Sequence, residues 1–140
     1  MAHPRVEIRA DVKAALATLS GINATEIQTI FRKEIDIDQL PEITVLTPRE
    51  RVTRTAVDMV DRVVDVVVAV RRKGGDTLDD DLDNESDDIE AAVLPVLEAH
   101  GDDVELVEVT TQFGAKGATR VGQLELRFRL VRYTAEAAQY

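Results

Sequence analysis

The stretch DTLDDDLDNESDDIE, residues 76 to 90, holds nine carboxylates in fifteen positions, and its oxygens are the first candidates for chemistry. A calcium loop of the helix-loop-helix type takes oxygens at loop positions 1, 3, 5, 9 and 12, with glycine at position 6 for a sharp turn. Counted from Asp79, those positions carry Asp79, Asp81, Asp83, Asp87 and Glu90. Position 6, however, is Asn84, and position 8, where an apolar anchor belongs, is Ser86. The segment leading in is a valine-rich run closed by Gly74 and Gly75, where the motif needs an entering helix. In so acidic a window carboxylates reach most odd positions by composition alone. The competing reading is a solvated helix face, in which Leu78, Leu82, Ile89, Val93, Val96 and Leu97 keep near one side. At about 3.6 residues per turn, the five oxygens of such a helix spread around the cylinder and do not converge on one ion.

Other chemistry is thinner. The chain has no cysteine, which excludes disulfides, thiolate zinc, iron-sulfur clusters and cysteine nucleophiles. Its serines are Ser20, beside a helix stop, and Ser86, in the acidic run; its histidines are His3, near the N-terminus, and His100, beside Gly101. A Ser-His-Asp relay needs a positioned serine with a base in reach, and nothing in this spacing suggests one. His100 reads as a last-turn residue that complements a helix dipole. GAKGATRVG, residues 114 to 122, lacks the Gly-Lys-Ser/Thr tail of a phosphate loop. It reads either as a mobile hairpin or as a loop whose Lys116 and Arg120 order against an acidic partner. Arg49, Arg51 and Arg54 cluster after Pro48, and Arg71, Arg72 and Lys73 follow the valine run, without the interleaved aromatics of a nucleic-acid surface.

The elements that must position these groups follow from hydrophobic period. Ile8, Val12, Ala15, Leu16 and Leu19 predict an amphipathic helix over about Pro4 to Ser20, with Pro4 in its first turn and Gly21 closing it in the left-handed conformation. EIQTIF and EITVLT read as short strands, the second bracketed by Pro41 and Pro48. Residues 51 to 72 also fit a helical stripe, but nine valines between positions 52 and 70 favour one long strand ending near Arg72. Its buried face would be Val64, Val66, Val68 and Val70. The acidic stretch then opens a second helix, with Thr77 and Asp80 as a capping box, Pro95 kinking or shortening it and Gly101 ending it. VELVEVTTQF and QLELRFRLVRY close the chain as strands, the latter alternating Leu124, Leu126, Phe128 and Leu130 with Glu125, Arg127 and Arg129. The expected fold class is α+β: a largely antiparallel or mixed sheet of four to five strands, with an N-terminal helix and a second, acidic helix packed on it.

At 140 residues the chain suits one domain with its own core. Its longest apolar run, Val66 to Val70, falls far short of the ~20 residues that span a bilayer, and the charged N-terminus does not resemble a signal peptide, so a soluble, unexported protein is expected. Net charge is -10, but residues 76 to 108 contain fourteen acids and no Lys or Arg, leaving +4 on the remainder. One surface is strongly anionic and repels DNA; the rest is mildly basic.

The N-terminal amphipathic helix, QLPEITVLTP, the valine-rich strand ending RRKGG, DTLDDDLDNESDDIEAAVLPVL and the closing QLELRFRLVRYT together resemble the tail terminator family of long-tailed bacteriophages, often labelled minor tail proteins. The resemblance is one of layout and spans nearly the whole chain, as a single domain over residues 1–140. Head-tail joining and tail completion proteins share its size and composition and stay as alternatives, with a calcium-binding interaction module behind them. The resemblance implies a homo-oligomeric, hexameric ring at the head-proximal end of the tail tube. Such a ring stops tube polymerisation and meets the tail tube protein on one side and the head-tail connector or stopper on the other. It further implies a virion protein assembled in the host cytoplasm, with no enzyme activity, no cofactor, no metal, no membrane partner and no specific nucleic-acid binding, although DNA passes through the ring. Arg49, Arg51, Arg54, Lys116 and Arg120 are then the expected partner-facing residues.

One titration separates the calcium loop from the acidic helix. Binding to the native state raises stability, so a calcium loop would give heat and a higher melting temperature at millimolar calcium. We expect neither in calorimetry.

Overall fold

The structure is a computed structural model that describes residues 3–22, 27–28 and 40–135. Helix α1 (Pro4–Leu16) is followed by strands β1 (Ile27–Gln28), β2 (Glu42–Ala56) and β3 (Met59–Gly74), helix α2 (Leu78–Glu98), and strands β4 (Asp103–Lys116) and β5 (Thr119–Ala135). The strands form one sheet in the order β1-β2-β3-β5-β4. Its four long strands are antiparallel neighbours, while the short β1 runs parallel to β2 at Ile43 and Thr44. Both helices pack on the same face, α1 over β2 and α2 over β5 and β4, and they touch each other. The α+β class expected from the sequence is therefore the fold. No helix among the described residues is long and apolar enough to cross a membrane.

Alternation explains most of the core. Val64, Val66, Val68 and Val70 of β3 stand opposite Leu130, Phe128, Leu126 and Leu124 of β5, and all eight are buried beneath the helices. Helix α1 adds Ile8, Val12 and Leu16; α2 adds Leu78, Leu82, Ile89, Val93 and Leu97. Full burial of a side chain of this size contributes about 1.5–3 kcal/mol. The valine run of β3 does not alternate with polar residues because its second half is buried on both faces. Val67 and Ala69 point away from the helices yet are only 2% and 3% exposed, in a patch with Thr44 and Glu42 of β2.

Several boundaries differ from those the sequence predicts. Residues 51 to 72 are not one strand: β2 runs to Ala56, turns at Val57 and Asp58, and returns as β3. The turn carries no glycine or asparagine, and Val57 at its tip is 79% exposed, so composition concealed it. Pro48 does not end its strand. It lies inside β2 at a register shift between Leu46 and Arg49, where a bulge tolerates its missing donor. GAKGATRVG forms a hairpin, but not a separate loop, because β4 and β5 run through it and turn at Gly117 and Ala118. Gly117, with φ of 64°, is the only left-handed residue among those described, so neither Gly21 nor Gly101 closes a helix in that way.

The helix ends are corrected as well. Helix α1 stops at Leu16 rather than Ser20, and His3 caps its start by accepting the Arg5 N–H at 3.1 Å. Thr77 makes no side-chain cap on α2; its hydroxyl donates to Asp81 at 3.2 Å instead. Pro95 lies within α2 without ending it, and the helix reaches Glu98. Of the predicted strand EIQTIF, Ile27 and Gln28 form β1 and the remainder lies outside the described residues.

Gly101 matters for contact. A Cβ there would lie 2.2 Å from Leu130 Cδ1 and 2.9 Å from the Val131 carbonyl oxygen. Overpacking of this kind costs about 1–3 kcal/mol. Gly101→Ala is therefore expected to lower unfolding free energy by that amount in urea titration, while Val57→Ala at the exposed tip leaves it within about 0.5 kcal/mol.

Candidate partner interface

The five cations expected to meet partners do not form one patch. Arg49 stands opposite Asp65 and Arg51 opposite Val63, both on the sheet face away from the helices. Arg54 stands opposite Val60, on the helix face. Strand alternation thus splits a cluster that looks continuous in sequence. Arg120 is held within its own chain: it pairs with Asp79 of α2 at 2.7 Å and lies over the Phe113 ring, 4.9 Å from its centroid. Lys116 ends β4 opposite Thr119, and its side chain lies outside the described residues.

The acidic helix faces outward, and two arginines tie it to the sheet. Arg72 at the end of β3 donates from Nε to both carboxylate oxygens of Glu85, each at 2.8 Å, and Arg120 holds Asp79. The calcium-loop positions fall on this continuous helix, with Ser86 buried on its inner side. Among the described residues, no group of three or more His, Asp or Glu side chains is arranged to hold a metal ion. An open cleft of about 210 Å³ lies between the end of α1 and α2, lined by Leu19, Gly21, Ile22, Asp81, Asn84, Glu85 and Asp88. Its acids belong to the same helix, and Glu85 is already committed to Arg72.

The catalytic candidates have structural places. His100 follows α2 and contacts Asp11 of α1 at 2.7 Å, linking the two helices rather than complementing a dipole in the last turn. His3 is the α1 cap, Ser20 lies in the turn after α1 and Ser86 in the α2 seam.

A second charged cluster had no counterpart in the sequence reading. Glu50 of β2 points to the helix face, where it accepts from Arg62 at 3.1 Å and faces Arg5 of α1 at 3.9 Å. Arg132 of β5 stands opposite Arg62. The Glu50 and Arg62 side chains are only 10% and 15% exposed. These residues are far apart in sequence, and Glu50 takes the helix-facing parity only because of the bulge at Pro48. No local pattern could have exposed them.

The outer face carries charges in cross-strand rows. Arg49, Asp65, Arg129 and Glu105 lie opposite one another across β2, β3, β5 and β4, and Arg129 forms an ion pair with Glu105. Asp65 also meets Arg127 at 3.6 Å. Apolar side chains gather in two exposed places: Val107, Val109 and Phe113 on β4, and Val52, Val57, Met59 and Tyr133 around the β2–β3 tip. No protein-family model matches the chain, and no curated protein matches it.

Removing Glu50 strips Arg62 of a largely buried counter-charge. Glu50→Ala is expected to destabilise the fold by about 2 kcal/mol. The exposed substitution Arg49→Ala should stay within about 0.5 kcal/mol, both measured by urea unfolding.

Proposed function

We propose that this protein is a structural ring subunit of a long-tailed phage, a tail terminator that caps the head-proximal end of the tail tube and joins it to the connector. It performs no catalysis. The observation that carries this reading is a helix-covered sheet whose two edges are largely uncovered among the described residues, one edge strand bearing acids and the other arginines. Such a subunit has a built-in way to meet neighbours. The resemblance in layout of helix, valine-rich strands, acidic helix and closing strand supplies the kind of assembly. An outward α2 dense in aspartate suits a surface past which DNA must move without sticking, because it repels the phosphate backbone.

Light scattering with negative-stain imaging tests the reading. The expected result is a ring-shaped oligomer, hexameric in the first instance, formed either by the protein alone or once tail tube protein is added. A chain that stays monomeric in both conditions overturns it.

A further inference from the structure

Strand β4 forms one edge of the sheet: it pairs with β5 on one side, and no described strand lies on its other side. Its residues 107–115 are all exposed. Edge strands of soluble proteins are commonly blunted with proline, lysine or short length. β4 is fourteen residues long with no proline, and its only lysine is its last residue. Its open edge is therefore able to accept another strand.

The side chains along this edge specify what kind of strand. After the irregularity between Leu106 and Glu108, Val109 and Thr111 stand opposite Leu126 and Leu124, which sets them, with Phe113, on the helix face. A Cβ on Gly122 would lie 2.7 Å from Leu82 Cδ1 and 3.3 Å from Phe113 Cε1, so Phe113 is a neighbour of α2. Val109 and Phe113 nevertheless stay exposed, an apolar floor along the open edge. The charges of β4 before its last residue are all acidic: Asp103, Glu105 and Glu108.

Helix α2 makes the wall above that floor. It packs over β5 and β4, with α1 on its other side toward β2. Leu78, Leu82, Ile89 and Val93 point inward, and Asp81, Asn84, Glu85 and Asp88 line the cleft toward α1. At about 3.6 residues per turn, the flank that remains, toward the β4 edge, carries Asp79, Asp83, Asp87 and Glu90. Asp79 pairs with Arg120; the other three form no ion pair among the described residues. Leu82 near Phe113 and Gly101 near Leu130 show that α2 runs antiparallel to β4. Asp83 to Glu90 then span roughly 10 Å, beside the roughly 14 Å from Phe113 to Val109. This surface rejects its own kind, because an antiparallel β4–β4 pair keeps both α2 helices on one side of the joined sheet and sets two acidic flanks together.

We propose that β4 takes up, by strand addition across residues 107–115, an extended segment of a different protein whose alternate residues are lysine or arginine. Main-chain hydrogen bonds supply the pairing. The aliphatic stems of the basic side chains lie over Val109 and Phe113, and their charged heads reach the carboxylates of Asp83, Asp87 and Glu90. The claim goes beyond the tail-ring reading and does not need it, since a ring forms or fails to form whether or not this edge is used.

Short synthetic peptides test it on the full chain, with calorimetry for affinity and amide exchange for location. One alternates lysine with threonine, a second glutamate with threonine, and a third lysine with proline. The third keeps the charge of the first but lacks the main-chain donors of a strand. The lysine–threonine peptide should bind and protect the amides of 107–115, the glutamate–threonine peptide should not bind, and the lysine–proline peptide should bind at least about tenfold more weakly. Asp83→Lys with Asp87→Lys, both at exposed positions, should weaken lysine–threonine binding by about the same factor, with thermal melting as the check on folding. No binding of the lysine–threonine peptide, equal binding of the two lysine peptides, binding without protection of 107–115, or wild-type binding by the folded double variant each overturns the proposal. So does protection of 107–115 that grows with protein concentration in the absence of peptide, which would make a second copy the occupant. Ring formation is read separately by light scattering, so either claim can fall while the other stands.

Discussion

The rest of the structure depends on β3, whose valines are hidden on both sides of the sheet. On one side Val64, Val66, Val68 and Val70 meet β5 and the two helices; on the other Val67 and Ala69 close a smaller buried patch. A strand held this way cannot shift by one residue without exchanging its two faces, so it fixes the register of β2 and β5 on either side. That register decides which charges stand opposite one another on the outer face. It also brings Arg62 to Glu50 beneath α1, because the bulge at Pro48 returns Glu50 to the helix side.

Much of this was legible in the sequence, in proportion to how much of each signal was periodic. Helices α1 and α2 and strand β5 follow from their apolar spacing, and the α+β class follows from their order. The β2–β3 hairpin did not, because Val57 and Asp58 turn the chain without the glycine or asparagine by which hairpins are recognised, and because a strand buried on both faces has no alternation to read. Pro48 misled for a related reason: proline normally closes a strand, and only the bulge lets β2 continue. The placement of the candidate interface residues was the least legible. Arg49, Arg51 and Arg54 are near neighbours in sequence but lie on two faces, and Arg120, expected to meet a partner, is occupied by Asp79 and Phe113. The Glu50 cluster is built by residues that only tertiary structure unites.

Strand β4, exposed over residues 107–115 and carrying Val107, Val109 and Phe113, is a liability for a chain meant to stay alone. Helix α2 is tied to the sheet through Arg72 and Arg120, and its outward carboxylates make that surface strongly anionic.

Native-state hydrogen–deuterium exchange tests the central claim most directly, because it reads strand amides residue by residue. The account predicts that the amides of β3 from Val64 to Val70 exchange slowest, opening only with global unfolding. Exchange of these β3 amides ahead of those in β2 or β4 would contradict it.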